Sequence, residues 1–209
     1  MPKLVDHTSY RKQLLAQCFD LFAQRGYSAL SMRQIAEALG VSTGTLYHYF
    51  PTKEALFQQL VEEVTQQTIF EAASQVQRYA TLEERLVALF HFLAEHEDNL
   101  RKQLLVTLDY YQHKDLYGNT AGTILKAGED SYSQAIRDYV GLPDFHLSFL
   151  LHSQINGLLV LRMLRGINVS LVEQARPFID MLVDYLQKTP GMTETGSVLL
   201  KGAEWHEKE

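Results

Sequence analysis

Two kinds of chemistry lie within reach of the side chains of this 209-residue chain. One is metal or acid–base chemistry. His91 and Glu95 stand four residues apart with His96 and Glu97 beside them, and Asp109 with His113 repeats that spacing. A separation of four puts both groups on one helix face, and carboxylate–histidine sets on facing helices hold metals. The other is hydrogen bonding by a short polar segment, Ser42-Thr43-Gly44-Thr45-Leu46-Tyr47-His48. Its hydroxyls, phenol and imidazole are groups that read a nucleic-acid groove when a helix presents them.

The metal reading lacks its usual frame. There is no Glu-x-x-His, no His-Glu-x-x-His and no second set in matching order. HFLAEHEDN reads more simply as a charged C-terminal helical turn leading into a cap. No Ser/His/Asp or Cys/His grouping and no Gly-rich phosphate loop is recognisable, so no catalytic residue, metal or cofactor is assigned. Cys18 is the lone cysteine, which excludes an internal disulfide framework and any site needing two thiolates from one chain. It lies on an apolar helix stripe and reads as core. A helical-bundle metalloenzyme stays on the page as an alternative.

The elements that would carry the polar segment are helical. No run of alternating β-branched residues is bounded by hairpin turns, and five prolines and twelve glycines punctuate the chain. The fold class is all-α: an N-terminal three-helix helix-turn-helix module followed by a larger helical bundle. A first helix spans residues 9–25 with Leu14, Leu15, Cys18, Phe19 and Phe22 on one stripe; Gly26 follows as a left-handed cap with Tyr27 packing back, as in a Schellman motif. Ser31 and Gln34 form a capping box for a helix ending at Leu39. Gly40 and Val41 turn the chain, Ser42 caps a helix over 43–50, and Pro51 stops it. Two short helices joined by a three-residue turn with glycine define a helix-turn-helix. At 100° per residue Leu46, Tyr49 and Phe50 point inward, leaving Gly44, Tyr47 and His48 outward with Thr43 and Thr45 flanking them. Gly44 disfavours a helix by about 1 kcal/mol relative to Ala, which points to close approach of backbone to DNA, the alternative being that glycine costs little near a frayed N-terminus.

Hydrophobic residues make up 46% and charged residues 21%, a globular balance. Net charge is −6, but it is unevenly spread. Residues 1–60 hold six Lys/Arg against four Asp/Glu, net +2, and the rest hold 13 against 21, net −8. Because salt screens charges beyond about 10 Å, the weakly basic head permits DNA binding despite the acidic body. MPKLVDHTSYRKQ has no apolar core of signal-peptide length, which gives a cytoplasmic expectation. The uncharged stretch 145–161 contains His146, Ser148, His152, Ser153, Gln154 and Asn156, so it is not read as a membrane span.

The run SALSMRQIAEALGVSTGTLYHYFPTKEALFQQL resembles the DNA-binding segment of the TetR family of transcriptional regulators. The matching pieces are Gly26-Tyr27, Ser31-x-Arg33, Ile35-Ala36, Leu39-Gly40-Val41-Ser42, Gly44-Thr45-Leu46-Tyr47, Tyr49-Phe50 and Lys53-Glu54-Ala55-Leu56, from residue 9 to about 60. The resemblance implies that Ser31, Arg33, Ser42, Thr43, Gly44, Thr45, Tyr47, His48 and Lys53 form the DNA-contacting set. Their types suit it: threonine meets a thymine methyl, arginine forks onto guanine O6 and N7, and Tyr47 and Lys53 suit phosphate oxygens. It further implies a homodimer on an inverted-repeat operator, a repressor, and a small-molecule effector of unknown identity.

Residues 1–52 are therefore read as the DNA-binding head, 53–189 as the ligand-binding and dimerisation body, with 53–77 a connector, and 190–209 as a tail in which Trp205 docks or moves freely. In the body, Thr81 and Glu84 form a capping box, Asp98 or Asn99 caps the next helix, and further helices span 120–139, 144–164 and 170–187. The helix over 144–164 is apolar on more than one face, so it is buried all round or pairs with a second chain. By resemblance the last two helices make a four-helix interface with their symmetry mates. His152, Ser153, Gln154 and Asn156 interrupt that helix, and Phe92, Tyr110, Tyr111 and Tyr132 are candidates to line a cavity with His152 and Asn156. A ligand there would tilt the connector and spoil half-site spacing. A DNA-binding regulator without any small-molecule control is the remaining alternative.

Overall fold

A computed structural model describes residues 6–113, 120–166 and 169–189. The expected tail at 190–209, Trp205 included, lies outside the described residues. Among those described, nine α-helices and one π-helical turn account for the regular structure, with no strand. The architecture is all-α: an N-terminal helix-turn-helix unit on a larger helical bundle.

Asp6 caps α1 (His7–Arg25) through Thr8 N at 3.0 Å, so the helix starts two residues before the hydrophobic pattern does. Gly26 is not the left-handed cap expected of it. Its φ of 79° is paired with ψ of 144°, and its N–H closes the last turn onto Phe22 O. Few residues other than glycine adopt that backbone. It swings Tyr27 back into full burial, edge-on to Phe22 with centroids 5.2 Å apart. The Schellman motif sits instead at the end of α2 (Met32–Ala38). There Val41 N donates to Ala36 O at 3.0 Å and Gly40 N to Glu37 O at 3.1 Å, with Gly40 at φ 69°.

The Ser31–Gln34 capping box opens α2, and Ser42 caps α3 (Thr43–Tyr49) through Thr45 N at 2.9 Å. Thr52 caps α4 (Lys53–Val76). Leu14, Leu15, Cys18 and Phe22 of α1, Ile35 of α2, Leu46 of α3 and Leu56, Phe57 and Leu60 of α4 share one buried cluster. That cluster also takes in Val106 and Tyr110 from the body, so the head has no core wholly its own. Burial pushes the Cys18 thiol up to about 12, so it acts as an apolar core residue and not as a nucleophile.

The body comprises α5 (Leu82–Glu95), α6 (Glu97–Gln112), α7 (Thr120–Ala135) with its π-helical continuation Ile136–Val140, α8 (Phe145–Arg165) and α9 (Leu171–Lys188). Asp98 or Asn99 was the expected cap of α6. The residue in that place is His96, with no side-chain cap, because a single residue separates α5 from α6. The π turn and Pro177 inside α9 have no counterpart in the expected pattern.

The second buried cluster joins Leu86, Phe90 and Phe92 of α5 to Leu151, Ile155 and Leu159 of α8 and Ala175, Ile179 and Leu182 of α9. The outer sides of the last two helices remain apolar and open: Phe145, Phe149, Leu161 and Leu164 on α8, Met181 and Tyr185 on α9. α8 is long and apolar enough to cross a membrane by length and composition. Its Ser148 and His152 are buried against the body.

Candidate nucleic-acid interface and ligand cavity

The cap at Ser42 and the burial of Leu46 and Phe50 fix α3 against α2 within the core of the head. Thr43, Gly44, Tyr47 and His48 are exposed on the opposite side, with Arg33 exposed at the start of α2. Tyr49, expected inward, is half-buried, and its hydroxyl meets His7 Nδ1 at 2.9 Å. The His7 ring lies 6.3 Å from that of His48, placing a second imidazole beside the outer face. Nothing local in the sequence marked His7, since the pairing spans 42 residues.

Several residues of the expected DNA-contacting set also hold the head together. Ser31 Oγ and Gln34 Oε1 are 2.8 Å apart, and Ser42 Oγ and Thr45 Oγ1 are 2.8 Å apart, so these hydroxyls serve the helix caps. Lys53 is half-buried, its ammonium 4.0 Å from the centre of the Tyr27 ring. Burial holds its pKa down, opposed by the charges of Glu54 and Asp109. To reach a phosphate, the side chain must leave that ring.

Asp109 of α6 accepts from Ser28 N at 3.1 Å and Ser28 Oγ at 3.2 Å, fastening the α1–α2 turn to the body. Tyr110 stacks on Phe57 with centroids 3.8 Å apart. It therefore belongs to the seam between head and body, not to a ligand cavity. Tyr111 is exposed on α6 and lines none either. Both departures have one cause: α6 touches two cores, and its spacing does not say which residue serves which.

Phe92, Tyr132, His152 and Asn156 do line the principal cavity. It encloses about 940 Å³, including its opening to solvent. Thr68, Ile69, Ala72, Ala73 and Val76 of α4 form one wall, and Ile136, Tyr139 and Val140 of the π turn another. The rest is mostly apolar and comes from α5, α6 and α8. A polar chain crosses one end: Tyr132 OH donates to Gln103 Oε1 at 3.1 Å, and Gln103 Nε2 to Thr68 Oγ1 at 3.0 Å. Beside it His152 Nδ1 is 3.2 Å from Glu129 Oε2. Burial raises the Tyr132 pKa and lowers that of His152, the latter opposed by Glu129, so both are neutral near pH 7.

The histidine–carboxylate sets are engaged elsewhere. Glu97 takes a two-pronged bond from Arg162 at 2.8 and 2.9 Å. His96 Nδ1 sits 2.9 Å from Phe92 O, and His113 Nδ1 sits 2.8 Å from Asp109 O. Among the described residues, no three His, Cys, Asp or Glu side chains gather as for a metal.

Fold and site thus define a class: a helix-turn-helix unit coupled by one long helix to a bundle with a ligand-sized cavity. Residues 14–60 match the family described as bacterial regulatory proteins, tetR family. One relative, the HTH-type transcriptional repressor KstR2 of Mycolicibacterium smegmatis, is 34% identical over 105 residues, covering 48% of this chain and 49% of that one. The chain spans about half the length of the relatives it matches. Among solved structures, the transcriptional regulator FadR of Bacillus subtilis in complex with stearoyl-CoA superposes with a TM-score of 0.61 at 23% identity, over 82% of this chain and 97% of that one. A regulator from Saccharomonospora viridis in complex with choline gives 0.62 at 20% identity, over 87% and 97%.

Proposed function

We propose that this chain is a sequence-specific DNA-binding transcriptional regulator, a repressor that leaves a palindromic operator when a small molecule enters the body cavity. The observation that carries the reading is the outer face of α3: Thr43, Gly44, Tyr47 and His48 stand exposed on a helix whose other side buries Leu46 and half-buries Tyr49. A short helix held this way enters a major groove, and Arg33 and the capped N-terminus of α4 add contacts on either side. In this reading residues 1–52 are the DNA head, 53–189 the ligand-binding and dimer-forming body, and no residue is catalytic.

A second copy completes the reading unit. The apolar outer sides of α8 and α9 fit an isologous four-helix contact, which presents two heads to two half-sites. The cavity supplies the control. Its α4 wall lies on the helix whose first residue, Lys53, sits under Tyr27 in the head. A ligand that prefers one tilt of α4 biases the separation of the two heads by its differential affinity for the two states. Neighbours of the same fold that hold stearoyl-CoA or choline support a ligand-binding role for this chain's body.

Selection from random duplex DNA by the full chain at near-physiological salt tests the proposal. The expected product is an inverted repeat, blurred at the guanine position when Arg33→Ala is used. Sequence-blind binding, or none, overturns it.

A further inference from the structure

The charge inside the cavity narrows what can occupy it, given that the cavity is the effector site. Among the described residues Glu129 is the one carboxylate lining the cavity, and no Lys or Arg lines it. A smaller adjoining cavity that shares Gln103, Thr107, Glu129 and Tyr132 with it has no Lys or Arg either. His152, the near neighbour of Glu129, is mostly buried, and burial keeps it neutral. The carboxylate, itself about half exposed at 55%, stands at the polar end with no Lys or Arg beside it among the described lining residues.

Three of the other polar groups there are committed to one another. Tyr132, Gln103 and Thr68 donate along a closed chain that ends on Val64 O at 2.9 Å. Aromatic rings of Phe92, Tyr132 and Tyr139 line the walls. Such rings attract a cation over their faces, and a carboxylate accepts a charge-assisted hydrogen bond from an ammonium. A carboxylate or phosphate head would meet like charge at Glu129 and gain no such bond.

We infer that the cavity is built for an apolar molecule bearing an amine or other cationic nitrogen, its hydrocarbon or ring body among the apolar walls and its charge at Glu129. Anionic amphiphiles are the class it rejects.

Calorimetric titration of the full chain with decylamine and with decanoate, each below micelle formation, tests this. Decylamine is expected to bind about tenfold or more tightly than decanoate, a difference of about 1.4 kcal/mol. Glu129→Gln, whose melting point checks folding, should shrink the gap to about threefold or less. Ala72→Phe, which fills the cavity from α4, should remove amine binding. Equal or tighter binding of decanoate, a preference that survives Glu129→Gln, or amine binding that survives Ala72→Phe overturns the inference. If decylamine does not bind while an inverted repeat is still recovered from random DNA, the ligand class falls and the DNA-binding function stands. If no sequence is recovered, the function falls whatever the amine does.

Discussion

At Gly44 an added Cβ would lie 3.7 Å from Ser42 Oγ, an ordinary contact, and the backbone is that of α3. Nothing inside the head requires glycine there, which leaves the surface facing outward as the reason for it. At Gly26 the requirement is internal: φ is 79°, and the new carbon would come to 3.4 Å from Asp109 Oδ1. The two positions therefore predict opposite behaviour. Gly44→Ala should leave thermal stability unchanged or raise it by up to about 1 kcal/mol, while operator affinity drops about tenfold or more. Gly26→Ala should destabilise by about 1–3 kcal/mol. Melting curves beside binding isotherms check both, and a Gly44→Ala protein that binds operator normally would remove close approach as the explanation. The exposure of Thr43, Gly44, Tyr47 and His48 was legible from a 100° wheel because α3 packs through one side only. His7 was not legible, since its partner is 42 positions away.

Among the elements, Arg162 ties three helices at one corner. It forks onto Glu97 at the start of α6, and it donates to Gln174 Oε1 of α9 and to Val169 O just before it. That bond holds the Glu97 carboxyl below the usual carboxylate range, and the Arg162 charge adds to it. The unfolded chain therefore takes up this proton first as pH falls. The pair contributes its full stability above an unfolded carboxylate value of about 4.3, and the contribution disappears as pH drops through the lower folded value. Glu97→Gln should accordingly lose about 1–3 kcal/mol at pH 7, with the gap from wild type closing below about pH 4. Denaturation series at the two pH values measure it, and a gap independent of pH would contradict the assignment.

Capping boxes at Ser31–Gln34 and Thr81–Glu84 could be read from sequence because both partners lie within one turn. The junction at Arg162 could not, for Glu97 is 65 residues away. The start of α6 escaped as well. Asp98 and Asn99 look like caps, but the kink after α5 is one residue long and Glu97 already belongs to the next helix. Tyr110 and Tyr111 show the same limit: adjacent on α6, one enters the seam with the head and the other faces solvent.

For the whole molecule, head and body are joined at several points. Beyond α4, Lys102 of α6 meets Asp20 of α1 at 2.8 Å, and Asp109 fastens Ser28. In the proposed function, a shift of α6 or α4 around a ligand would reach the head through these charged and stacked contacts, not through a free hinge. On the body, the outer sides of α8 and α9 are apolar, and there Phe149 is 57% and Leu164 77% exposed. Replacing both with Glu should convert a sedimenting dimer to a monomer. Because the second head binds at the effective concentration set by the first, the monomer should lose about 10²-fold or more in operator affinity. An unchanged sedimentation coefficient would place the dimer seam elsewhere.

In the proposed function, two copies of this head read two half-sites as one unit. The most direct test is the binding isotherm of the full chain on the selected inverted repeat, run beside the same duplex with one half scrambled. Two protomers per repeat are expected, with an affinity for the scrambled duplex lower by about 10²-fold or more. A lone half-site bound as tightly as the repeat, by one protomer, would contradict it.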